Sequence, residues 1–109
     1  MKIERGEIWW VNLDPTVRGE IKKRRPCVVL SANEVNRLRA TPVVVPLNSA
    51  PDAAPPLVLS VPSAGKDSVA VVDQIRAVDK KRFVHRAGIL AVPDLRNLEL
   101  AVKQVLQLP

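Results

Sequence analysis

The chain has 109 residues, of which 47% are hydrophobic and 26% charged, and it carries a net charge of +6 at pH 7. This length suits one domain with a single modest core, and no apolar run approaches the ~20 residues that span a membrane. One Cys and one His exclude an intrachain disulfide and provide too few ligands for a structural zinc site.

The net positive charge of the chain favours a polyanionic partner, such as a nucleic acid, an acidic protein or an anionic membrane surface. The first residues, MKIERGE, carry several charges and lack the apolar segment of a signal peptide. We therefore expect a protein of the reducing cytoplasm that neither inserts into a membrane nor holds a metal or another cofactor.

Short apolar runs rich in β-branched residues recur along the chain, and their spacing predicts a mainly β protein. The runs are EIWWVNL (7–13), PCVVLSA (26–32), PVVVPLN (42–48), PLVLSV (56–61) and DSVAVVDQIRAV (67–78), with a last short pair expected within 82–91. The segment APDAAPP (50–56) is rich in proline and predicts a loop. We expect a small β-barrel of five to seven strands, forming a single domain over residues 1–109.

Two segments are predicted to be helical and to add a small α component to this β+α fold. NEVNRLR (33–39) begins with Asn33, a favourable N-cap residue, and is only two turns long. The C-terminal segment has Pro93 and Asp94 at its start, where proline and an acidic side chain suit the first turn. Apolar residues then recur at helical spacing, at Leu95, Leu98, Val102, Val105 and Leu106. This pattern predicts an amphipathic helix packed on the barrel.

The densest positive charge lies between Arg18 and Arg25, where five of eight residues are Lys or Arg. One interpretation is a solvated hairpin loop, and the other is a rim that binds phosphates. Arg25 stands out because it directly precedes Pro26 and an apolar strand, so its guanidinium would be held more rigidly than Lys22 or Lys23. A fixed guanidinium can bridge two phosphate oxygens.

Asp73 interrupts an otherwise apolar run, and regular strand alternation would place it on one face with Val71 and Ile75. A carboxylate on such a face needs a cation or hydrogen-bond donors. It would therefore either pair with Arg76 or Arg25, or serve as a polarising or proton-accepting group beside a phosphate.

Three further polar or reactive positions have ordinary structural interpretations. Asn48 and Ser49 end a predicted strand, where such residues usually form turns. His85 is the only histidine, which excludes catalysis by paired imidazoles and favours a surface or rim position. Cys27 opens an apolar strand and is expected to be a small core residue.

Four blocks of sequence follow one another along the chain and precede the C-terminal amphipathic segment: RGEIWWVNLDPT (5–16), RRPCVVLSANEVNR (24–37), TPVVVPLNS (41–49) and DSVAVVDQIRAVDKKR (67–82). In this order and spacing they resemble the MazF/PemK family of toxins from bacterial toxin–antitoxin pairs. The resemblance implies an SH3-like or plasmid-toxin β-barrel that forms a homodimer. It also implies a metal-independent endoribonuclease that cuts single-stranded RNA, mostly messenger RNA, to 2′,3′-cyclic phosphate and 5′-hydroxyl ends. An acidic antitoxin segment would occupy the RNA groove.

The resemblance also implies roles for individual residues. Arg25 occupies the position of the family's essential arginine and would stabilise the phosphorane, and Asp73 matches an aspartate that serves as a base in some members. The RNA-binding set would comprise Arg18, Glu20, Lys22, Lys23, Arg24, Gln74 and Arg76. The catalytic group would be completed by Asn48 and Ser49.

This chain departs from the family pattern at two places. Asn48 stands where the family usually has a threonine, and an amide donates a hydrogen bond but does not readily pass a proton. The loop reads Arg18, Gly19, Glu20, where the family typically has glycine and then serine or histidine before the glutamate. A barrel that binds RNA or a protein such as DNA gyrase without catalysis is therefore the alternative function.

Overall fold

The computed structural model describes residues 1–15, 17–20, 23–49 and 52–109. It contains seven strands: β1 (Glu7–Asn12), β2 (Arg24–Val29), β3 (Val43–Ser49), β4 (Val58–Ser60), β5 (Ser68–Val71), β6 (Arg76–Ala77) and β7 (Phe83–Ile89). Two α-helices, α1 (Asn33–Leu38) and α2 (Val92–Leu106), and three single-turn 3-10 helices, Pro62–Ala64, Val72–Gln74 and Lys80–Arg82, complete the described elements. The predicted mainly β class with a short helix and a C-terminal helix is confirmed.

The strands form one antiparallel sheet in the order β4-β5-β3-β2-β1-β7, with β6 paired to β3 beside this path. The two outer strands of the path, β4 and β7, do not pair with each other in the part of the chain that the structure describes, so the barrel-like sheet is not closed. β3 is central because it pairs with β2, β5 and β6. The end of β3 therefore lies beside the start of β2 and the start of β5.

Two apolar clusters lie on opposite faces of the central strands, as the alternation of side chains along a strand requires. On β2 and β3, Val28, Val45 and Leu47 belong to the first cluster, which also includes α2 residues. Cys27 and Val44 belong to the second cluster, which includes both Trp9 and Phe83. The strands read as continuous apolar runs because both of their faces are buried.

Helix α2 packs its apolar stripe on the first cluster. Leu98 is fully buried, as predicted, and Ala101 and Val102 are buried with it. The N-terminal segment is attached to the same helix by an ion pair of 2.5 Å between Arg5 and Glu99. The amphipathic helix predicted for the C-terminus is therefore confirmed, although Leu106 is about half exposed.

Glu7 is a buried acid at the start of β1. Its Oε1 accepts hydrogen bonds from the Glu4 amide at 2.7 Å and the Trp9 indole at 3.1 Å, and its Oε2 accepts one from Arg86 Nε at 2.6 Å. Burial alone would raise the pKa of Glu7, but these three bonds and the charge of Arg86 outweigh it and lower the pKa below its ordinary value. The carboxylate therefore joins the N-terminus, β1 and β7.

Three local predictions are wrong. Residues 67–78 do not form one strand, because the chain makes a 3-10 turn at Val72–Gln74 between β5 and β6. The interval 82–91 contains the single strand β7 rather than a pair. Ala32, not Asn33, is the N-cap of α1, and the Asn33 side chain instead accepts a hydrogen bond from the Arg5 amide at 2.7 Å.

Candidate functional site

A groove of ≈ 470 Å³ lies at the end of the sheet where β2 begins and β3 ends. Its lining combines these strand ends with β1 and the segment that leads into β5. The lining residues are Trp10, Arg25, Pro26, Leu47, Asn48, Ser49, Ala64, Gly65, Lys66, Asp67 and Ser68. Three of the four residues predicted to be catalytic, Arg25, Asn48 and Ser49, thus lie together.

Arg25 is held within β2, where it pairs with Val11 of β1, and it is partly buried. Its Nε atom is buried and has no hydrogen-bond partner among the described residues. A buried Nε is not itself accessible to RNA, but its burial holds the guanidinium in place against the strand, whereas Arg25 as a whole is only partly buried and lines the groove. A guanidinium held in this way is suited to bind a phosphate oxygen through its other N–H groups.

Asn48 and Ser49 are adjacent on β3 and so belong to opposite faces of the sheet. Arg25, two residues before Cys27, and Asn48, four residues after Val44, share the face of the second apolar cluster. Ser49, two residues after Leu47, shares the other face. The Asn48 Oδ1 accepts a hydrogen bond from the Ser49 amide at 3.0 Å, which leaves its two amide donors available.

The basic loop between β1 and β2 is partly described, and Lys22 lies outside the described residues. Arg18, Lys23 and Arg24 are all exposed. Glu20 is engaged within the loop, where its carboxylate accepts a hydrogen bond from the Val17 amide at 2.5 Å. The loop cations therefore face solvent near the start of β2, although none of those described lines the groove.

Asp73 is placed differently from the prediction, because it lies on the 3-10 turn and not on a strand face. It is exposed and forms no ion pair with another described residue, so the alternative in which it pairs with Arg76 or Arg25 is wrong. Neither Asp73 nor its neighbour Gln74 lines the groove. Gln74 instead contacts the basic loop, since its Nε2 donates to the Gly19 carbonyl at 3.4 Å.

Arg76 begins β6 and pairs with Val44, which brings its charge close to Cys27. Cys27 is fully buried, and burial raises the pKa of its thiol to about 12, although the positive charge of Arg76 acts in the opposite direction. The prediction that Cys27 is a core residue is confirmed. Its thiol remains protonated at neutral pH and is a poor nucleophile.

Trp10 and Lys66 also line the groove, although no role was predicted for either residue. A signal for Trp10 was present: two consecutive tryptophans on a strand must point to opposite faces, and 36% of Trp10 is exposed whereas Trp9 is buried. His85, predicted to be at a surface or rim, is exposed and pairs with Trp10 across β1 and β7. No sequence pattern indicated a role for Lys66, because its segment reaches the start of β2 and the end of β3 only in the folded protein.

In the described part of the chain, no three His, Cys, Asp or Glu side chains come together in an arrangement that could hold a metal ion. The groove instead offers one guanidinium, one ammonium and one carboxylate, from Arg25, Lys66 and Asp67, with hydroxyl and amide groups beside them. Such a donor set suits phosphodiester oxygens better than a cation. No helix among the described residues is long and apolar enough to cross a membrane.

Comparison with known proteins matches the chain to one family. A family model for the PemK-like, MazF-like toxins of type II toxin-antitoxin systems matches residues 4–106. Endoribonuclease MazF9 of Mycobacterium tuberculosis is 35% identical over 115 residues, covering 97% of this chain and 98% of the relative. Endoribonuclease PemK of Escherichia coli is 39% identical over 83 residues, covering 72% of this chain but only 62% of PemK, so the chain spans less than two thirds of that relative.

Solved structures with the same fold are similar over almost their whole length. MazF from Deinococcus radiodurans superposes with a TM-score of 0.86 and 22% identity, covering 98% of each chain. An endoribonuclease in complex with its cognate antitoxin, from a mycobacterial species, superposes with a TM-score of 0.79 and 20% identity, covering 98% of this chain and 97% of that one. At these identities the superpositions show the fold alone.

Proposed function

Because the chain belongs to the family of PemK-like and MazF-like toxins of type II toxin–antitoxin systems, we propose that it is a toxin endoribonuclease that cleaves single-stranded RNA. The substrate would be chiefly messenger RNA, cut at specific sequences without a metal ion. The two curated relatives described above are endoribonucleases by name. The net charge of +6 and the cations beside the groove support a polyanionic substrate.

The proposed reaction is an internal transfer of the phosphodiester. The ribose 2′-oxygen loses its proton and bonds to phosphorus, and the bond from phosphorus to the 5′-oxygen breaks as that oxygen gains a proton. The products are a 2′,3′-cyclic phosphate and a 5′-hydroxyl. The pentacoordinate phosphorane carries extra negative charge, so a cation held in place before the reaction stabilises it most effectively.

Arg25 is the proposed phosphorane-stabilising group, and the observation that carries this role is that Arg25 lines the groove while β2 holds it with its Nε buried. Asn48 shares the Arg25 face and would donate an amide hydrogen bond to a non-bridging phosphate oxygen. Ser49, on the opposite face, would contact the RNA on the other side of the strand end. Asp73 would accept the 2′-proton if the attacked phosphate lies between Arg25 and the 3-10 turn, because a base must be within hydrogen-bond reach of the 2′-oxygen next to that phosphate.

The remaining proposed contacts concern binding. The RNA backbone would be bound by Arg18, Lys22, Lys23 and Arg24. Glu20, Gln74 and Arg76 would lie beside the bound RNA. The same basic surface would receive an acidic segment of a cognate antitoxin. A cytoplasmic location, a homodimer and a single domain over 1–109 complete the proposal.

The decisive experiment is digestion of a long single-stranded RNA by the purified protein in the presence of EDTA. We expect defined fragments with cyclic phosphate ends from the native protein. Arg25→Ala should lower the rate by about 10²–10³-fold, the usual cost of removing one preorganised oxyanion donor. Arg25→Lys should recover only part of this, because an ammonium lacks the planar fork of a guanidinium.

Arg37→Ala is the matched control, because Arg37 is exposed on α1 and does not line the groove. It should cleave at the native rate. If Arg25→Ala cleaves as fast as Arg37→Ala, the role assigned to Arg25 is wrong.

Asn48 is the specific observation that favours the second candidate, a barrel that binds RNA or protein without cutting RNA. Intact RNA after prolonged incubation with native protein would support it. In that case Asn48→Thr, which provides a hydroxyl at this position, should create or raise cleavage. An Asn48→Thr variant that cleaves more slowly than the native protein would show that the amide itself serves the reaction.

A further inference from the structure

A row of three ring-bearing side chains crosses the sheet next to the groove. Trp10 on β1 pairs with Pro26 on β2 and with His85 on β7, so the three residues share one face of three neighbouring strands. The Trp10 and His85 rings are 6.3 Å apart between centroids and inclined by 35°. Trp10 and His85 are both exposed, and Pro26 is partly buried.

This row continues into the groove, since Trp10 and Pro26 both line it together with Leu47. The groove lies at the strand ends and is lined from both faces of the sheet, with Trp10 and Pro26 on one face and Arg25 on the other, and with Lys66 from the segment before β5. The groove volume of ≈ 470 Å³ lies within the ~300–1,000 Å³ of pockets that enclose small organic molecules. An apolar, ring-lined pocket beside a fixed cation matches the two parts of a nucleotide, its base and its phosphate.

We propose that Trp10, supported by His85 and Pro26, is the stacking platform for one nucleobase of the RNA next to the phosphate bound by Arg25, and that Lys66 contacts a neighbouring phosphate across the groove. This inference rests on the proposed function and identifies the place where the site holds a base. Stacking on an aromatic face tolerates every base to some degree, so Trp10 contributes affinity and register. Discrimination between bases then comes from the polar residues that line the groove.

A nucleobase fits this surface better than an apolar side chain of a protein partner. The lining has two cationic groups and only one carboxylate, Asp67, and it also has the hydroxyl or amide groups of Asn48, Ser49 and Ser68. Such a lining complements phosphates and base edges. A purely apolar occupant would leave these polar groups without partners.

The test uses a non-cleavable probe, a 2′-O-methyl heptanucleotide with the sequence mapped at the cleavage sites of the native protein. The chain has two tryptophans, and Trp9 is buried, so fluorescence quenching by the probe reports on Trp10. We expect quenching in the native protein and little in Trp10→Phe, which should still bind. Trp10→Ala should lower the affinity by about 5- to 150-fold, the fold-change of losing one aromatic–base stack.

A series of probes, each lacking one base, separates stacking from a structural effect. Removal of one particular base should weaken binding to the native protein, and Trp10→Ala should then add no further loss with that probe. Lys66→Ala should reduce the slope of log affinity against log salt by about 0.7, the value for one phosphate of a single strand. Leu38→Ala and Lys103→Ala, exposed positions that do not line the groove, are the controls and should bind like the native protein.

The possible results are distinct. Native cleavage together with unchanged binding by Trp10→Ala would overturn the platform while leaving the proposed function intact. Equal losses with every base-lacking probe would also overturn it. If Trp10→Ala does not fold, the native protein with the same probe series decides the question, because a platform requires one position to dominate. A native protein that neither binds nor cleaves RNA would refute the proposed function, and this inference with it.

Discussion

Glu7→Gln tests the buried carboxylate that joins β1, β7 and the N-terminal segment. The substitution keeps the size of the side chain, and the glutamine oxygen can still accept from the Glu4 amide and the Trp9 indole, as Oε1 does at 2.7 and 3.1 Å. The glutamine NH₂ would then replace Oε2, which accepts from Arg86 Nε at 2.6 Å. Two donors would face each other, so the bond to Arg86 is lost.

The expected cost follows from this single lost contact. A hydrogen bond between charged groups contributes about 1.5–3 kcal/mol. The Arg86 side chain is 48% exposed and can return to water, so we expect the low end, about 1–2 kcal/mol at pH 7. For a chain of this size that corresponds to a fall in Tm of roughly 4–8 °C.

The effect should also depend on pH, because the folded protein lowers the pKa of Glu7. A carboxyl group with a lowered pKa stabilises the fold above about pH 4.5, where the unfolded group is also ionised. This stabilisation disappears as the pH falls through the lower pKa of the folded state. The difference between native protein and Glu7→Gln should therefore be full at pH 7 and should shrink in acid.

Urea denaturation at pH 7 and in strongly acidic buffer measures both quantities. Glu4→Gln is the control, because Glu4 pairs with Lys2 at 3.2 Å through side chains that are 45% and 86% exposed, and it should cost less than about 0.5 kcal/mol. A Glu7→Gln variant as stable as native protein at pH 7 would refute the argument. An equal destabilisation at both pH values would show that packing, not charge, explains the loss.

Three further predictions concern the core, the thiol and α2. Leu98→Ala, at a fully buried position, should lower the free energy of unfolding by about 2–5 kcal/mol, measured by urea denaturation. Leu100→Ala, at an exposed position, is the control. A loss for Leu98→Ala no larger than that for Leu100→Ala would contradict the assigned core. Cys27 should resist alkylation at pH 8 in the folded protein and react once urea unfolds it, because burial raises its pKa to about 12; rapid native labelling would disprove this. Asp94→Ala removes the acceptor of the Ser63 amide at 2.8 Å, so we expect it to lower the free energy of unfolding by about 1 kcal/mol, measured by thermal unfolding. Asp94→Asn keeps an oxygen acceptor and should lose less than half as much, and equal losses for the two variants would contradict this role.

The sequence was sufficient to predict most of the β-structure. Short runs of Val, Leu and Ile bounded by Pro, Gly and polar residues have few alternatives to strands, and all of β1, β2 and β3 lie in or next to predicted runs. The C-terminal helix was equally predictable, because its apolar period and its starting Pro93 and Asp94 agree with each other. In these segments the local conformational preference of the residues and the burial of their apolar side chains favour the same secondary structure.

The segment around Asp73 shows where such reasoning fails. Alternation places Asp73 on a strand face, but the chain turns at Val72–Gln74 so that β6 can pair with β3. In the folded protein Val72 is fully buried and Asp73 is exposed. A turn that exposes the Asp73 carboxylate avoids the free-energy cost of desolvating it. The alternation of residues along the sequence does not reveal this gain in free energy.

The candidate site was likewise predicted only in part from the sequence. The sequence identified Arg25 as the cation rooted in a strand and Asn48 as the departure from the family pattern. It could not show that Lys66 and Trp10 join them, because these residues are far apart in the chain and meet only through the pairing of β1, β2, β3 and β5.

By itself, the sequence determined the class of fold, the family and the basic strand-end arginine, because composition, periodicity and motif order are local properties of the chain. The tertiary structure decided that the Nε of Arg25 is buried without a partner, that Asp73 lies on a turn, and that Trp10 and Lys66 face a common groove. These features depend on burial and on contacts between distant segments, whose free energies are set only when the strands pair and the helix packs.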